Sequence, residues 1–192
     1  MRKLISLMHM SLDGFCGGPN GELDWIALNQ DIFADADDLI ATAGAAVYSR
    51  VTHDMMRGYW PTLLDKPDSR PDSRPDSREV RHARWVEQIP KLTFSRSMRE
   101  SDWNNVHLRR DARDILADKQ QPGNNLLIFG SPGLVRAFLT LDAIDEFWIF
   151  QNPILLGTGL PYFDGARKTR LKLASQRPFE NGVVRLHYVK GE

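Results

Sequence analysis

The chain has 192 residues, enough for one domain with a sizeable core and too few for two full ones. Its 25 Lys and Arg cancel its 25 Asp and Glu, so no overall basic field favours nucleic acid and no acidic excess marks a solvating chain. Cys16 is the only cysteine, no apolar run approaches the roughly 20 residues of a membrane span, and the N-terminus turns polar too soon for a secretion signal. A soluble cytoplasmic protein without a disulfide framework or a membrane role is expected.

The first element is the apolar run KLISLMHMS (Lys3 to Ser11), a buried strand that ends at the turn dipeptide Asp13-Gly14. The glycine-rich GGPNGELDW that follows is a loop. From Asp31 the spacing of Ile32, Leu39 and Ile40, with acids at the start, predicts a helix. AAVYS (Ala45 to Ser49) is a short strand. Further strands are expected at KLTFS (Lys91 to Ser95), NVHL (Asn105 to Leu108), NLLIFG, DEFWIFQNPIL, TRLKLASQRPF and VVRLHYVK, and helices at Val80 to Gln88, Asp111 to Lys119 and Pro132 to Leu141. Strands interleaved with helices predict an α/β three-layer sandwich. Its mixed, mainly parallel sheet would carry helices on both faces and an antiparallel C-terminal edge, because nothing helical separates the last two strands.

One domain over residues 1–192 is therefore expected, broken by PDSRPDSRPDSR (Pro67 to Arg78), a tetrapeptide repeat with no apolar residue. Proline at every fourth position removes amide donors and resists helix, so this stretch reads as a surface insertion.

Chemistry-bearing motifs are few. There is no Walker pattern, no Gly-x-Gly-x-x-Gly, no Gly-x-Ser-x-Gly, and no His or Cys pair at zinc-ligand spacing; no metal site is expected, and His9, His53, His82, His107 and His187 are scattered. The remaining signal is a set of turns at predicted strand ends, where α/β sheets bind ligands. They are SLDG (Ser11 to Gly14), SRVT (Ser49 to Thr52), FSRS (Phe94 to Ser97) and FGSPGL, the last a strand, tight turn and helix start. In this order they resemble the dihydrofolate reductase-like superfamily. The block DEFWIFQNPILLGTGLPYF (Asp145 to Phe163), together with GELDW (Gly21 to Trp25), resembles the reductase domain of riboflavin biosynthesis and its stand-alone relatives.

The resemblance implies an NADPH-dependent reductase of a small molecule, either a ribosylaminopyrimidine phosphate or, in the folate branch, a dihydropteridine. It implies that Asp13, Arg50, Thr52, Ser95, Arg96, Gly130 and Ser131 hold NADPH, with Ser95 and Arg96 at the 2′-phosphate and the Gly130-Ser131 turn at the diphosphate. Trp25, Asp31 and Asp35 become the substrate-side residues, and a homodimer built through the C-terminal half is implied; the apolar side chains on both sides of DEFWIFQNPILL, Trp148 and Phe150 on one, fit such a contact, or equally a strand buried by helices on both faces. The catalytic group stays unassigned. Two departures stand out: Ser49 and Ser131 occupy positions where the family commonly has glycine, and serine makes a positive φ costlier. A domain that keeps the fold for ligand binding without catalysis is the alternative. Each residue also has a plain reading: Asp13-Gly14 as a turn, Arg50 as a surface ion pair, Arg96 in a solvated charge cluster, Trp25 in the core, and Asp31 and Asp35 as helix N-terminal acids.

Overall fold

The structure, a computed structural model, describes residues 1–65 and 77–191. The described elements are β1 (Leu4–Ser11), α1 (Gln30–Ile40), β2 (Ala43–Ser49), α2 (Arg50–Tyr59), α3 (Thr62–Asp65), α4 (Arg78–Gln88), β3 (Lys91–Phe94), β4 (Val106–Arg109), α5 (Asp114–Gln120), β5 (Asn125–Phe129), α6 (Pro132–Thr140), β6 (Glu146–Asn152), β7 (Leu171–Pro178) and β8 (Val184–Lys190). The strands form one sheet in the order β4-β3-β2-β5-β1-β6-β8-β7. All pairs from β4 to β6 are parallel, whereas β8 runs antiparallel to both β6 and β7. The three-layer α/β sandwich with an antiparallel C-terminal edge is what the interleaved pattern predicts.

Strand alternation supplies both cores. On one face Leu4, Met8, Val47, Leu126, Ile128 and Phe147 pack with Ile115 of α5 and Leu134, Val135 and Phe138 of α6. On the other, Ile5, Ala46, Tyr48, Leu127 and Phe129 pack with Leu39 and Ile40 of α1, Met56 of α2 and Val86 of α4. Each central strand is apolar on both sides because helices cover both sides.

Several boundaries move for local reasons. The strand predicted to reach Leu155 stops at Asn152, where Pro153 has no N–H to continue the ladder. The helix predicted from Asp111 begins at Asp114, since the carboxylate of Asp114 accepts from the N–H groups of Arg110 and Asp111 and holds them in a turn. The short α3 carries no periodic signal in the sequence. The tetrapeptide repeat is corrected at its end: Ser77 caps α4, its Oγ accepting from Val80 N at 3.2 Å, and Arg78 is the first helical residue. The rest of that insertion, residues 67–76, lies outside the described residues.

Trp148 and Phe150 are also corrected. Phe150 is fully buried in a small cluster with Ile32, Phe179 and Val183. Trp148 is covered by Arg185, whose guanidinium lies 4.7 Å from the ring centre, and by His187 at 4.9 Å. Both belong to the protomer because α1 and β8 reach over β6. No described helix is long and apolar enough to cross a membrane.

Candidate functional site

The sheet order opens two gaps at the carboxyl ends of the strands. After β2 and β1 the chain enters α2 and α1 on one face, while after β5, which lies between them, it enters α6 on the opposite face. Chains leaving in opposite directions part the strand ends, and ligands bind in such crevices.

The β2/β5 gap is a crevice of about 680 Å³. Ser49, Val51 and Thr52 line it from the start of α2, Ser131, Pro132, Gly133 and Leu134 from the start of α6. Phe94, Ser95 and Arg96 after β3 and Arg110, Asp111 and Ala112 after β4 complete it. Two helix N-termini thus face one space. Thr52 N is capped by Ser49 Oγ at 3.3 Å, and the first-turn N–H groups of Val51 and Gly133 have no partner within their own helices. Both favour an anion.

The turn after β5 is built on consecutive positive-φ residues, Gly130 at 57° and Ser131 at 58°. Glycine takes this conformation freely; for serine it is uncommon. The buried Ser131 hydroxyl is held by its neighbours: Oγ accepts from Ser49 N at 3.0 Å and lies 2.7 Å from Thr52 Oγ1 and 3.2 Å from Phe129 O. The side chain that makes the turn costly also ties it to α2. At Gly130 a Cβ would stand 3.7 Å from Thr52 Oγ1, an ordinary contact, so it is the positive φ rather than space that favours glycine there.

Across the crevice Ser95 Oγ accepts from Met98 N at 2.9 Å and shapes the turn that presents Arg96. Arg96 is exposed and has no hydrogen-bond or ion-pair partner among the described residues, whereas Arg110 is braced, donating to Ser95 O at 3.0 Å and to Met98 O. Arg110 was missed by motif reading. The signal available was its place directly after a strand, the position that also marks Arg96.

Thr52, Ser95, Arg96 and Ser131 therefore converge, with Gly130 behind them. Arg50 does not line the crevice; it pairs with Asp54 at 2.9 Å, one turn along α2. Asp13 braces the loop after β1 to a second loop: it accepts from Ser11 Oγ at 2.6 Å, from Gly157 N at 2.8 Å and from Leu156 N at 3.1 Å. The Ser11 hydroxyl, then these amides, hold its carboxyl below the usual range. The same loops meet where Gly159 passes Gly17, close enough that a Cβ would stand 2.3 Å from Gly17 O. Trp25 is half-buried and donates to Glu22 O at 2.9 Å within its own loop. Asp31 is exposed in the first turn of α1, but Asp35 is buried between Arg185 Nε at 3.0 Å and Arg177 at 3.1 Å.

A mainly parallel sheet with an antiparallel edge, opened on either side of β5, is the dihydrofolate reductase-like fold. Residues 2–185 match the RibD C-terminal domain, and the chain belongs to that family. It is 30% identical over 190 residues to the uncharacterized protein YyaP of Bacillus subtilis, covering 97% of this chain and 94% of YyaP. The fold matches the diaminohydroxyphosphoribosylaminopyrimidine deaminase/5-amino-6-(5-phosphoribosylamino)uracil reductase of Thermotoga maritima with a TM-score of 0.66 at 15% identity, covering 99% of this chain and 57% of that one. It matches Enterococcus faecalis dihydrofolate reductase, solved with NADP(H), with a TM-score of 0.67 at 14% identity over 99% of this chain and 97% of that one.

Proposed function

We propose that this protein is an NADPH-dependent reductase of a small molecule, of the riboflavin-biosynthesis type, with 5-amino-6-(5-phosphoribosylamino)uracil the first substrate to test. The observation that carries this reading is the convergence of Thr52, Ser95, Arg96 and Ser131, from three separate strand ends, on one crevice under two helix N-termini. The family and the dihydrofolate reductase solved with NADP(H) support it.

The residues fit such a cofactor. Arg96, exposed beside the Ser95 turn and without a partner among the described residues, suits a 2′-phosphate; Arg110 adds a second cation held by Ser95 O and Met98 O. The Val51 and Gly133 amides suit a diphosphate. Phe94, Ala112, Leu134 and Ala137 offer an apolar wall to an adenine. When bound, the cofactor supplies the hydride, so no catalytic triad is required of the protein. The chain's own task is to orient and to exclude water, and the 12–29 loop, braced by Asp13, stands where it can cover the second opening.

The test is a fluorescence titration, with five tryptophans as reporters. NADPH is expected to bind at least tenfold more tightly than NADH. Equal affinity for both, or no binding of either, overturns the reading.

A further inference from the structure

Ser101, His53 and Asp54 form a hydrogen-bonded line outside the crevice. His53 and Asp54 are neighbours in α2, and Ser101 lies 48 residues beyond His53, in the segment between β3 and β4. His53 Nε2 is 3.0 Å from Ser101 Oγ, and His53 Nδ1 is 2.9 Å from Asp54 Oδ1. None of the three lines the space between β2 and β5.

The direction of these bonds follows from what each group can donate. A carboxylate only accepts, so in the neutral ring the proton sits on Nδ1 and Nε2 is left to accept. The Ser101 hydroxyl therefore donates to Nε2. Its oxygen also accepts from Trp103 N at 3.2 Å, which leaves one lone pair uncommitted. Asp54 is steadied from its other side, where Oδ2 accepts from Arg50 at 2.9 Å. The imidazole is buried and held edge-on to Trp103, with ring centres 5.5 Å apart. The segment has a separate anchor: Trp103 is buried, and the Glu87 carboxylate accepts from Trp103 Nε1 at 2.8 Å and from Asn104 Nδ2 at 2.5 Å. The Ser101–His53 bond is not needed to hold it.

Ser101 is half-buried and, with Glu100 and Asp102, lines a hollow of about 530 Å³. Asp102 pairs with Arg57, whereas Glu100 is exposed and has no partner among the described residues, so the hollow disfavours anions. The N–H of Asp102, directly after the serine, donates to no described residue and is available to a developing oxyanion.

We propose that Ser101 is a nucleophile toward small uncharged esters, with His53 as its base and Asp54 as the positioning residue that holds the His53 tautomer. Ser101 Oγ bonds to the ester carbonyl carbon while its proton passes to Nε2. The bond from that carbon to the alcohol oxygen then breaks, and Nε2 returns the proton to the departing alkoxide. Water cleaves the acyl-serine by the same route, giving a proton to Nε2 as it attacks; the carboxylic acid leaves and the serine hydroxyl is restored. This activity is independent of the NADPH reading, since the two sites share no residue.

The test treats the whole protein with an uncharged alkyl fluorophosphonate, which phosphonylates an activated serine with loss of fluoride. Intact mass and the tryptic peptide of residues 100–109, whose only serine is Ser101, report the adduct. One adduct per chain in that peptide is expected, a result that needs no variant. His53→Gln, which can hydrogen-bond Ser101 but cannot take its proton, should slow labelling by at least about 100-fold. Asp54→Asn should slow it by at least about tenfold and, in ¹⁵N-histidine spectra, move the His53 proton to Nε2, because the amide NH₂ can face Nδ1. With p-nitrophenyl acetate the wild type should release a burst of p-nitrophenol equal to the chain concentration, and Ser101→Ala should abolish it. No adduct within residues 100–109, equal labelling of wild type and His53→Gln, or an undiminished burst in Ser101→Ala overturns the inference.

Discussion

Ser131 Oγ lies 3.0 Å from Ser49 N, so the turn after β5 is hydrogen-bonded to the end of β2 across the crevice floor. These are the two positions where the resemblance leads one to expect glycine. They face each other, and the contact rests on the Ser131 hydroxyl, which accepts from the backbone N–H of residue 49 and also lies 3.1 Å from Ser49 Oγ.

The first prediction concerns this pair. Ser131→Ala leaves the Ser49 amide without its acceptor and keeps the left-handed backbone, so it should destabilise by about 2 kcal/mol. Ser131→Gly loses the same hydroxyl but relieves a strain of roughly 1–2 kcal/mol, and should be the more stable of the two variants. Urea unfolding of both ranks them; alanine equal to or above glycine would show that Ser131 is not strained.

Arg96→Ala should weaken NADPH by roughly ten- to a hundred-fold and NADH hardly at all, as expected for a charge-assisted contact of about 1.5–3 kcal/mol with a 2′-phosphate. Arg110→Ala should have a smaller effect of the same sign, and Arg50→Ala the least, since Arg50 already pairs with Asp54. An equal loss for both nucleotides on Arg96→Ala would move that residue away from the 2′-phosphate.

Asp35 accepts from Arg185 at 3.0 Å and Arg177 at 3.1 Å, and Arg185 also donates to Ser175 Oγ at 2.6 Å, which fixes α1 to the antiparallel edge. Asp35→Ala strands a buried guanidinium and should cost about 3–5 kcal/mol in chemical unfolding. The double variant Asp35→Ala, Arg185→Met should recover much of it. A single variant of near wild-type stability would show the network to be solvated.

Acid should weaken the fold through His82. Its ring packs among Trp60, Trp85 and Phe129, and burial lowers its pKa to about 4 from an ordinary 6.5. Between these values the unfolded chain binds the extra proton, so stability rises with pH across the window and falls as pH drops from 6.5 toward 4. Unfolding free energies at pH 7 and pH 5.5 should differ in the wild type and differ less in His82→Phe. An unchanged slope would place the titration elsewhere.

A homodimer through the C-terminal edge is expected in light scattering, at twice the 21.9 kDa of one chain. All eight residues of β7 are exposed, and Leu171 and Leu173 alternate along a strand whose outer edge has no partner among the described residues. Such an edge invites a second copy. A mass of one chain would refute it.

The alternation of apolar runs with helical spacing, ending in two strands with no helix between them, was enough to place eight strands and the antiparallel edge, because burial on both faces writes itself directly into composition. The turn residues were legible for a related reason: Gly130, Ser131 and the Ser95-Arg96 pair sit directly after strands. What local sequence could not carry was the pairing of side chains far apart in the chain. Asp35 reads as an ordinary acid in a helix N-terminal half until Arg185, 150 residues on, is brought against it by the β6-β8 ladder. Arg110 reads as one of two adjacent cations until the β3 turn offers it two carbonyls. His9 is one scattered histidine until β5 stops pairing two residues short of it and Phe150 stacks against it. Local spacing decides which residues lie on a strand or at its end, but which of them share a crevice follows from strand order, and that is fixed only when both faces of the sheet are packed.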